Sequence, residues 1–570
     1  MMRTLDPRAW PRRLGAGIAT LVAPVLALPP APALFAQQPA DTPTPPPYYA
    51  IQHARIVTGA GPVIESGTVV IENGLIGAVG ADVQPPADAW VIDGSGLTVY
   101  PGLFDGLSTV GVEVPSPEDD EGGGGGAGGF FGQQDREVAD GPEDRPATTP
   151  WQNAADMLNP EAEAIEMWRN GGFTNALVVP DDGIVTGQGA IIALAGEEPR
   201  DMVVKTPAAL RITMNPPGGF RSYPGSLFGV ISYVKQLYAD AEHERAWEAA
   251  YQASPRGTRR PEYDRALEPI QRSLAEGWPT VIPGNEVREI RRAVDLGRDM
   301  GARTVVAGAQ EAYEVADELA ADGVPVLVNL DWPERNRDAD PESEESLQSL
   351  RLRAYAPTTP ARLEEAGVMW GFYSGGVSTP RKALENVRKA IENGLSAEAA
   401  LRGLTLGPAT IYGVAERIGT VETGKIANLV VTEGDLFAED TEVKMVFVDG
   451  RRFEEREAER PTEPPVADLS GTWLLTVPTP ERTREITAEL EMAEDGTLSG
   501  RLTSERGEST ITDGWVSGSR FHFRATTSQG GRSFEVTYTG TLEDEELRGT
   551  VSFGGRFSTD FTGTRPGGGG

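Results

Sequence analysis

Residues 280–330 read TVIPGNEVREIRRAVDLGRDMGARTVVAGAQEAYEVADELAADGVPVLVNL and alternate apolar runs with amphipathic segments. The apolar runs, each of strand length, are 280–282, 303–307 and 324–329. The segments between them, Asn285–Met300 and Gln310–Ala321, have the periodicity of helices with one apolar face. Apolar strands that alternate with helices predict a parallel sheet buried on both faces.

The same alternation extends outward in both directions, from about residue 160 to about 415. So many strand and helix units in one domain predict a (β/α)8 TIM-like barrel over residues 99–416. Residues 116–150 interrupt the pattern, because they contain an acidic run, consecutive glycines at 123–127 and several prolines. We expect this segment to be a flexible insertion, since it has little apolar surface to bury.

The two ends of the chain have different characters. Arginines precede the apolar run Leu14–Leu28, and small residues follow up to Ala36. This pattern predicts a secretory signal over residues 1–36, with an uncleaved membrane anchor as the alternative, and places the protein in the periplasm or outside the cell. Residues 37–47 are a Pro-rich linker.

A separate all-β unit is predicted at residues 467–566, after an acidic, Pro-rich linker at 456–466. Apolar and polar residues alternate there between regularly spaced turns, which is typical of a small antiparallel barrel or sandwich. The start of this unit, Gly471-Thr472-Trp473, resembles lipocalin-like barrels, whose interiors hold small apolar ligands. The alternative is that Trp473 and Trp515 fill the core.

Composition excludes several kinds of function. The 570 residues include 51 Lys and Arg against 85 Asp and Glu, a net charge of −34, so nucleic acid is not an expected partner. The absence of Cys excludes disulfides and thiolate metal sites. Only three histidines are present, and beyond the signal segment no run reaches the length of a membrane-spanning helix.

Two motifs that bracket the predicted barrel resemble the amidohydrolase superfamily. The first ends in VIDGSGLTVYPGLFD at 91–105, and the second is GTVETGKIANLVV at 419–431. Between them, the segments similar to the imidazolonepropionase-like branch are 187–190, 202–209, 287–290 and 311–313. The resemblance covers residues 48–455 and implies a composite β-sandwich, built from 48–98 and 417–455, beside the barrel.

The resemblance also implies a divalent metal that activates water to hydrolyse C–N bonds other than peptide bonds. The positions where it expects metal ligands hold Leu107, Thr109, Pro283, Gly308 and Gly375. None of these residues is an effective metal ligand. Arg211 is the best match to a bridging lysine, with Lys205 as a weaker one, and the three histidines, His53, His243 and His522, lie elsewhere in the sequence.

These observations predict an exported barrel that has lost its metal centre, with no cofactor, and that binds a small molecule or an active paralogue. One alternative is an active hydrolase of cyclic amide or imide bonds with an atypical site, which would hold zinc or another divalent metal if its ligands are unrecognised. Polar candidates for a catalytic role are Asp105, Asn285, Glu286, Gln310 and Ser374, together with Asn329 and Asp331. Another alternative is a ligand-binding protein that acts through residues 467–566.

Overall fold

The structure is a computed structural model, and it describes thirteen segments of the chain. These are residues 48–113, 145–215, 223–335, 344–439, 441–454, 464–466, 468–478, 483–493, 495–504, 507–529, 532–543, 546–553 and 558–565. The predicted signal and the linker at 37–47 lie outside them, as do residues 116–144 of the insertion and most of the linker at 456–466. Among the helices of the described segments, none has the length and apolar character needed to cross a membrane.

The protein is mixed α/β, with two eight-stranded sheets and a closed all-β barrel. Its helices are α1 (Glu163–Asn170), α2 (Pro199–Met202), α3 (Leu227–Ala253), α4 (Leu267–Glu276), α5 (Val287–Met300), α6 (Ala316–Asp322), α7 (Leu347–Tyr355), α8 (Thr359–Ala366), α9 (Pro380–Glu392), α10 (Ala397–Gly403) and α11 (Leu406–Ile411). Most of them follow strands of the central sheet and pack on its outer face.

The two segments that the resemblance assigns to a β-sandwich form one flanking sheet, in the order β16-β15-β14-β5-β1-β2-β3, with β4 paired to β1. Its strands are β1 (Tyr48–Ile56), β2 (Ile64–Glu72), β3 (Leu75–Gly80), β4 (Trp90–Asp93), β5 (Leu97–Pro101), β14 (Leu429–Glu433), β15 (Glu442–Val448) and β16 (Arg451–Glu454). Strand β5 pairs antiparallel with β14, so the sheet joins the two ends of the 48–454 region.

Both faces of this flanking sheet are apolar. Ile51, Leu429 and Phe447 point into a core formed by the sheet itself, whereas Val430 and Val446 pack with the core of the central region. Asn73 and Gly74 join β2 to β3 with φ of 50° and 83°. Two positive φ values are what a tight hairpin turn requires, as the Asn-Gly pair predicts.

The central sheet has eight strands in sequential order, β6 to β13. They are β6 (Leu103–Ser108), β7 (Phe173–Val178), β8 (Val185–Ala193), β9 (Val203–Ile212), β10 (Pro279–Gly284), β11 (Arg303–Gly308), β12 (Val326–Asn329) and β13 (Trp370–Tyr373). Strand β8 runs antiparallel to both β7 and β9, and the remaining neighbours are parallel.

The predicted regular alternation of parallel strands and helices is therefore wrong between residues 173 and 212. The connection 179–184 is too short for a helical crossover, so β7 and β8 form a hairpin. Every residue of β8 is buried. Its sequence, which includes the buried polar residues Thr186 and Gln188, did not reveal the direction of the strand.

The first and last strands of the central sheet approach each other. The backbone N–H and the hydroxyl of Ser374, just after β13, both donate to the carboxylate of Asp105 in β6, at 2.9 and 2.6 Å. A Cβ atom on Gly106 would lie 2.6 Å from the carbonyl oxygen of Phe372, so only glycine permits this approach.

The end of the predicted flexible insertion is structured, which corrects the boundary at residue 150. Arg145 pairs with Asp240 and Asp264, each at 3.0 Å. Thr148 is 1 % exposed and shares a 2.6 Å hydrogen bond with Tyr233. These contacts to α3 and to the segment before α4 give residues 145–150 the buried partners that their composition did not indicate.

The C-terminal unit is a closed antiparallel barrel, which confirms the all-β prediction. Its strands are β17 (Gly471–Pro478), β18 (Thr483–Met492), β19 (Thr497–Ser504), β20 (Gly507–Ser517), β21 (Arg520–Gln529), β22 (Arg532–Glu543), β23 (Glu546–Phe553) and β24 (Ser558–Thr564). Each strand pairs with the next, and β24 returns to β17. The chain order therefore matches the order around the barrel.

Candidate functional site

The carboxyl ends of the central strands are the candidate site, because ligands of parallel α/β sheets bind at that edge. Leu107, Pro283 and Gly308 lie in the last residues of β6, β10 and β11. Thr109 and Gly375 lie just after β6 and β13. Leu107 packs in an apolar cluster inside the sheet with Phe104 and Tyr412, so its position is part of the core.

A buried carboxylate and a serine form the best-defined polar contact here. Asp105, 3 % exposed, accepts from the N–H and Oγ of Ser374 and, at 3.4 Å, from the N–H of Leu107. Burial raises the pKa of Asp105 to about 6, and the bonds from Ser374 oppose this shift. With its oxygens engaged in this way, Asp105 connects β6 to the end of β13.

The position after the eighth strand has no space for a side chain. Gly375 has a φ of +60°, and a Cβ atom placed there would lie 2.0 Å from Oδ1 of Asn329. That Oδ1 atom accepts a hydrogen bond from the N–H of Asp331, at 2.8 Å. The Asn329 amide thus occupies the space where the resemblance expects a metal-binding aspartate.

The end of the sixth strand is equally constrained. Gly308 has a φ of +114°, and a Cβ there would lie 3.3 Å from the carbonyl oxygen of Gly284. A histidine at this position would need a backbone conformation that L side chains rarely adopt. Pro283, on the neighbouring β10, has no donor or acceptor in its side chain.

Asn285 and Gln310 form a hydrogen-bonded bridge between the loops after β10 and β11. The Asn285 amide donates to Gln310 Oε1 at 3.2 Å and accepts from the Gln310 N–H at 3.1 Å. Gln310 Nε2 donates to the carbonyl of Asp331 at 2.6 Å, and its own carbonyl accepts from Thr359 Oγ1 at 2.8 Å. Both amides are therefore used to hold the loops together.

Glu286 caps a helix. It is the N-cap residue of α5, where its side chain accepts from the backbone N–H of Glu289, and the Glu289 side chain accepts in return from the Glu286 N–H. Its Oε1 also accepts from Gln348 Nε2, at 3.3 Å. This is a capping box, a structural arrangement common at helix starts.

A cationic side chain lies among aromatic ones inside the central sheet. Arg211, in β9, is close enough to Tyr373 and Tyr412 for its charge to lower the pKa of each, although burial raises both, that of Tyr373 to about 12. The Tyr412 hydroxyl donates to the carbonyl of Gly106 at 2.8 Å. Nε and Nη1 of Arg211 are buried, and among the described residues neither has a hydrogen-bond partner.

The other groups weighed from the sequence lie away from this edge. Lys205 is near the start of β9, and its Nζ donates to the carbonyl of Tyr412 at 2.7 Å. His53 is in the flanking sheet, His243 is in α3, and His522 is in the C-terminal barrel. Within the described segments, no group of three or more His, Asp or Glu is arranged to hold a metal ion.

Part of the chain is similar to known proteins in sequence and in structure. Residues 286–453, less than half of the chain, match the model of the amidohydrolase family. In structure it is similar to an amidohydrolase from Thermotoga maritima MSB8, with a TM-score of 0.59 and 24% identity, covering 71% of this chain and 100% of that one.

A second solved structure, a Xaa-Pro dipeptidase with bound methionine in the active site, aligns with a TM-score of 0.43 at 15% identity, over 71% of this chain and 100% of that one. Among curated proteins, none matches the chain in sequence. The likeness to the Thermotoga maritima structure supports the fold alone.

The interior of the C-terminal barrel is filled by its own side chains. Trp473, Phe521, Phe523, Tyr538 and Phe561 are each at most 2 % exposed. Trp515 lies on the outer surface, stacked on His522 with ring centroids 5.6 Å apart. A ligand of this barrel would therefore have to bind its outer surface, since the lumen is packed.

Proposed function

We propose that this chain is an exported member of the amidohydrolase superfamily, similar to the imidazolonepropionase-like branch, whose barrel binds a ligand without hydrolysing it. Its lineage is that of metal-dependent hydrolases of non-peptide C–N bonds. The protein itself would act as a binding or scaffold component, for a small molecule or an active paralogue.

The observation that carries this proposal is the packing around Gly375. The amide of Asn329 fills the space that a ligating side chain would need there, and the positive φ of Gly308 disfavours one on β11. Leu107 and Pro283 supply no ligand on two further strands. A zinc or magnesium centre needs several N or O ligands that converge, and the residues at this edge do not fit one.

A metal-independent hydrolase receives less support from the same contacts. Asp105 and Ser374 form a hydrogen-bonded pair, but Ser374 is only 6 % exposed. Both Asp105 oxygens accept from Ser374 itself, one from its backbone and one from its hydroxyl. A general base has to be oriented towards a substrate proton, and this carboxylate is instead oriented towards the backbone of β13.

The test is metal analysis of the full chain purified without added metal and dialysed against buffer, with an active amidohydrolase processed in parallel as the control. We expect less than stoichiometric Zn, Mn, Fe, Ni and Mg. Stoichiometric metal that survives dialysis would overturn the proposal. The same preparation, with metal added back, should show no hydrolysis of cyclic amides or imides.

A further inference from the structure

We propose that Arg211 is the anchor of a binding site for a small monocarboxylate at the carboxyl edge of the central sheet. This inference rests on the proposed function, because it concerns the ligand of the same barrel. It assigns to one side chain the positive charge that a metal ion would otherwise contribute there.

The position of Arg211 directs its side chain inward. In the ladders of β9, Arg211 pairs with Gly187 of β8 and Val281 of β10. Side chains alternate along a strand, and Ala209, two residues earlier, belongs to the cluster inside the sheet. The influence of Arg211 on Tyr373 and Tyr412 agrees with this direction.

Two nitrogen atoms of the Arg211 guanidinium have no acceptor among the described residues. Its Nε and Nη1 atoms are buried without a partner among the described residues, and burying unsatisfied charged donors is costly. Two carboxyl groups, Asp105 and Asp331, lie near enough to Tyr373 to raise its pKa, and the oxygens of Asp105 already accept from Ser374 and Leu107. A bound anion would satisfy these donors.

Tyr373 supplies a second group for the same ligand. It is partly exposed, as Arg211 is, and burial raises its pKa to about 12, so the phenol keeps its proton. Its hydroxyl can therefore donate to a bound anion. Arg211 on β9 and Tyr373 on β13 thus present donors from two separate strands of the central sheet.

The charge balance favours a carboxylate. Asp105 and Asp331 both raise the pKa of Tyr373, so a monoanion suits this site better than a phosphate dianion, which the two carboxyl groups would repel more strongly. The planar fork of arginine also matches a carboxylate, which it binds through two parallel hydrogen bonds. Turning the guanidinium towards the partly exposed edge brings its buried donors to the ligand.

The experiment measures propionate binding to the full chain by saturation-transfer-difference NMR, in buffer containing a chelator. Propanamide, which has the same shape without the charge, is the matched ligand control. We expect binding of propionate and not of propanamide. Arg211→Met should weaken propionate binding about tenfold or more, whereas Arg303→Met, which removes an exposed cation at the start of β11, should leave it unchanged.

Two further measurements keep the result decisive. Because Arg211→Met removes unsatisfied donors, we expect its melting temperature without propionate to equal or exceed that of the wild type. If that variant fails to fold, Arg211→Lys replaces it, and loss of the planar fork should weaken propionate binding about tenfold. Propionate binding that is absent in the wild type, or unchanged in these variants, would overturn the site. Stoichiometric metal with intact propionate binding would overturn only the proposed function.

Discussion

The C-terminal barrel and the central sheet both have eight strands, yet the lumen of the first and the carboxyl edge of the second differ in content. Stacked and edge-on aromatic rings fill the lumen, with Phe523 and Tyr538 4.8 Å apart. The carboxyl edge contains amides, Asp105 and Arg211, whose Nε and Nη1 have no hydrogen-bond partner among the described residues. A lumen packed with its own rings is a folding core, whereas buried unsatisfied donors on a partly exposed side chain indicate a place for a ligand.

The largest expected effect is in the packed lumen. Trp473 is 1 % exposed and donates through Nε1 to the carbonyl of Leu469 at 2.9 Å. Trp473→Ala should lower the free energy of unfolding of the C-terminal barrel by about 3–5 kcal/mol, because a large cavity remains. Chemical denaturation followed by tryptophan fluorescence measures the change.

Trp515→Ala is the matched control for that prediction, since this ring lies on the outer surface. Its cost should be about 1 kcal/mol or less. Equal losses in the two variants would mean that the lumen is not the core of this barrel, and the contrast between the two regions would fail.

A pH effect of similar size is expected at the edge of the central sheet. Burial raises the pKa of Asp105 to about 6 from 3.8, so between these values the folded chain holds a proton that the unfolded chain has lost. The contribution of Asp105 to the free energy of unfolding is therefore fully present below pH 4 and is lost as pH rises through 6. The loss amounts to about 3 kcal/mol.

Asp105→Asn removes this titration. The measurement is the difference in the free energy of unfolding between wild type and variant, taken at intervals from pH 4 to pH 7. We expect the wild type to lose stability relative to the variant over that interval. A difference that stays constant, or that moves in the opposite direction, would show that Asp105 is ionised at its ordinary pKa.

The packing of Asn329 against Gly375 gives a smaller effect. Gly375→Ala combines a φ of +60° with a Cβ contact of 2.0 Å, and should destabilise the protein by about 1–3 kcal/mol. Gly367→Ala is the control, because Gly367 has a φ of +74° and no atom within 4 Å of a Cβ. Thermal melting of both variants isolates the contact with Asn329, and equal melting temperatures would contradict it.

The smallest effect is expected at Glu286, the N-cap residue of α5. Glu286→Gln keeps an oxygen that can accept from the N–H of Glu289, so the helix cap should lose about 0.5 kcal/mol or less. Propionate binding should not change either. A tenfold change in binding would show that Glu286 contacts the ligand and would return it to the set of functional residues.

The sequence predicted those parts of the fold that follow from local pattern. The alternation of apolar and polar residues predicted the C-terminal barrel, and the Asn73-Gly74 pair indicates the turn between β2 and β3. Both features depend on neighbouring residues. The direction of β8 could not be predicted, since it is set by pairing with β7 and β9 and not by the local sequence of the strand. The sequence did not indicate that residues 145–150 are structured, because the partners of Arg145, Asp240 and Asp264, are distant in sequence.

The candidate site was predictable only in outline. The resemblance to the amidohydrolase superfamily implied that Leu107, Pro283 and Gly375 stand where side-chain ligands would be expected. It did not indicate that Asn329 fills the space beside Gly375, because that contact depends on the relative position of two strands. Arg211 was recognised as a substitution for a lysine, but its lack of hydrogen-bond acceptors is a property of its folded surroundings.

The contact between Asp105 and Ser374 also bears on how the chain folds. The two residues are 269 positions apart, so the central sheet cannot join its first and last strands until almost the whole region has been synthesised. Contacts of such long sequence separation slow folding. Until then the edge of β6 that does not pair with β7 is exposed beside other apolar strands, a state prone to aggregation. The region that contains the central sheet should therefore depend on chaperones more than the small C-terminal barrel does, because the strands of that barrel pair with their sequence neighbours.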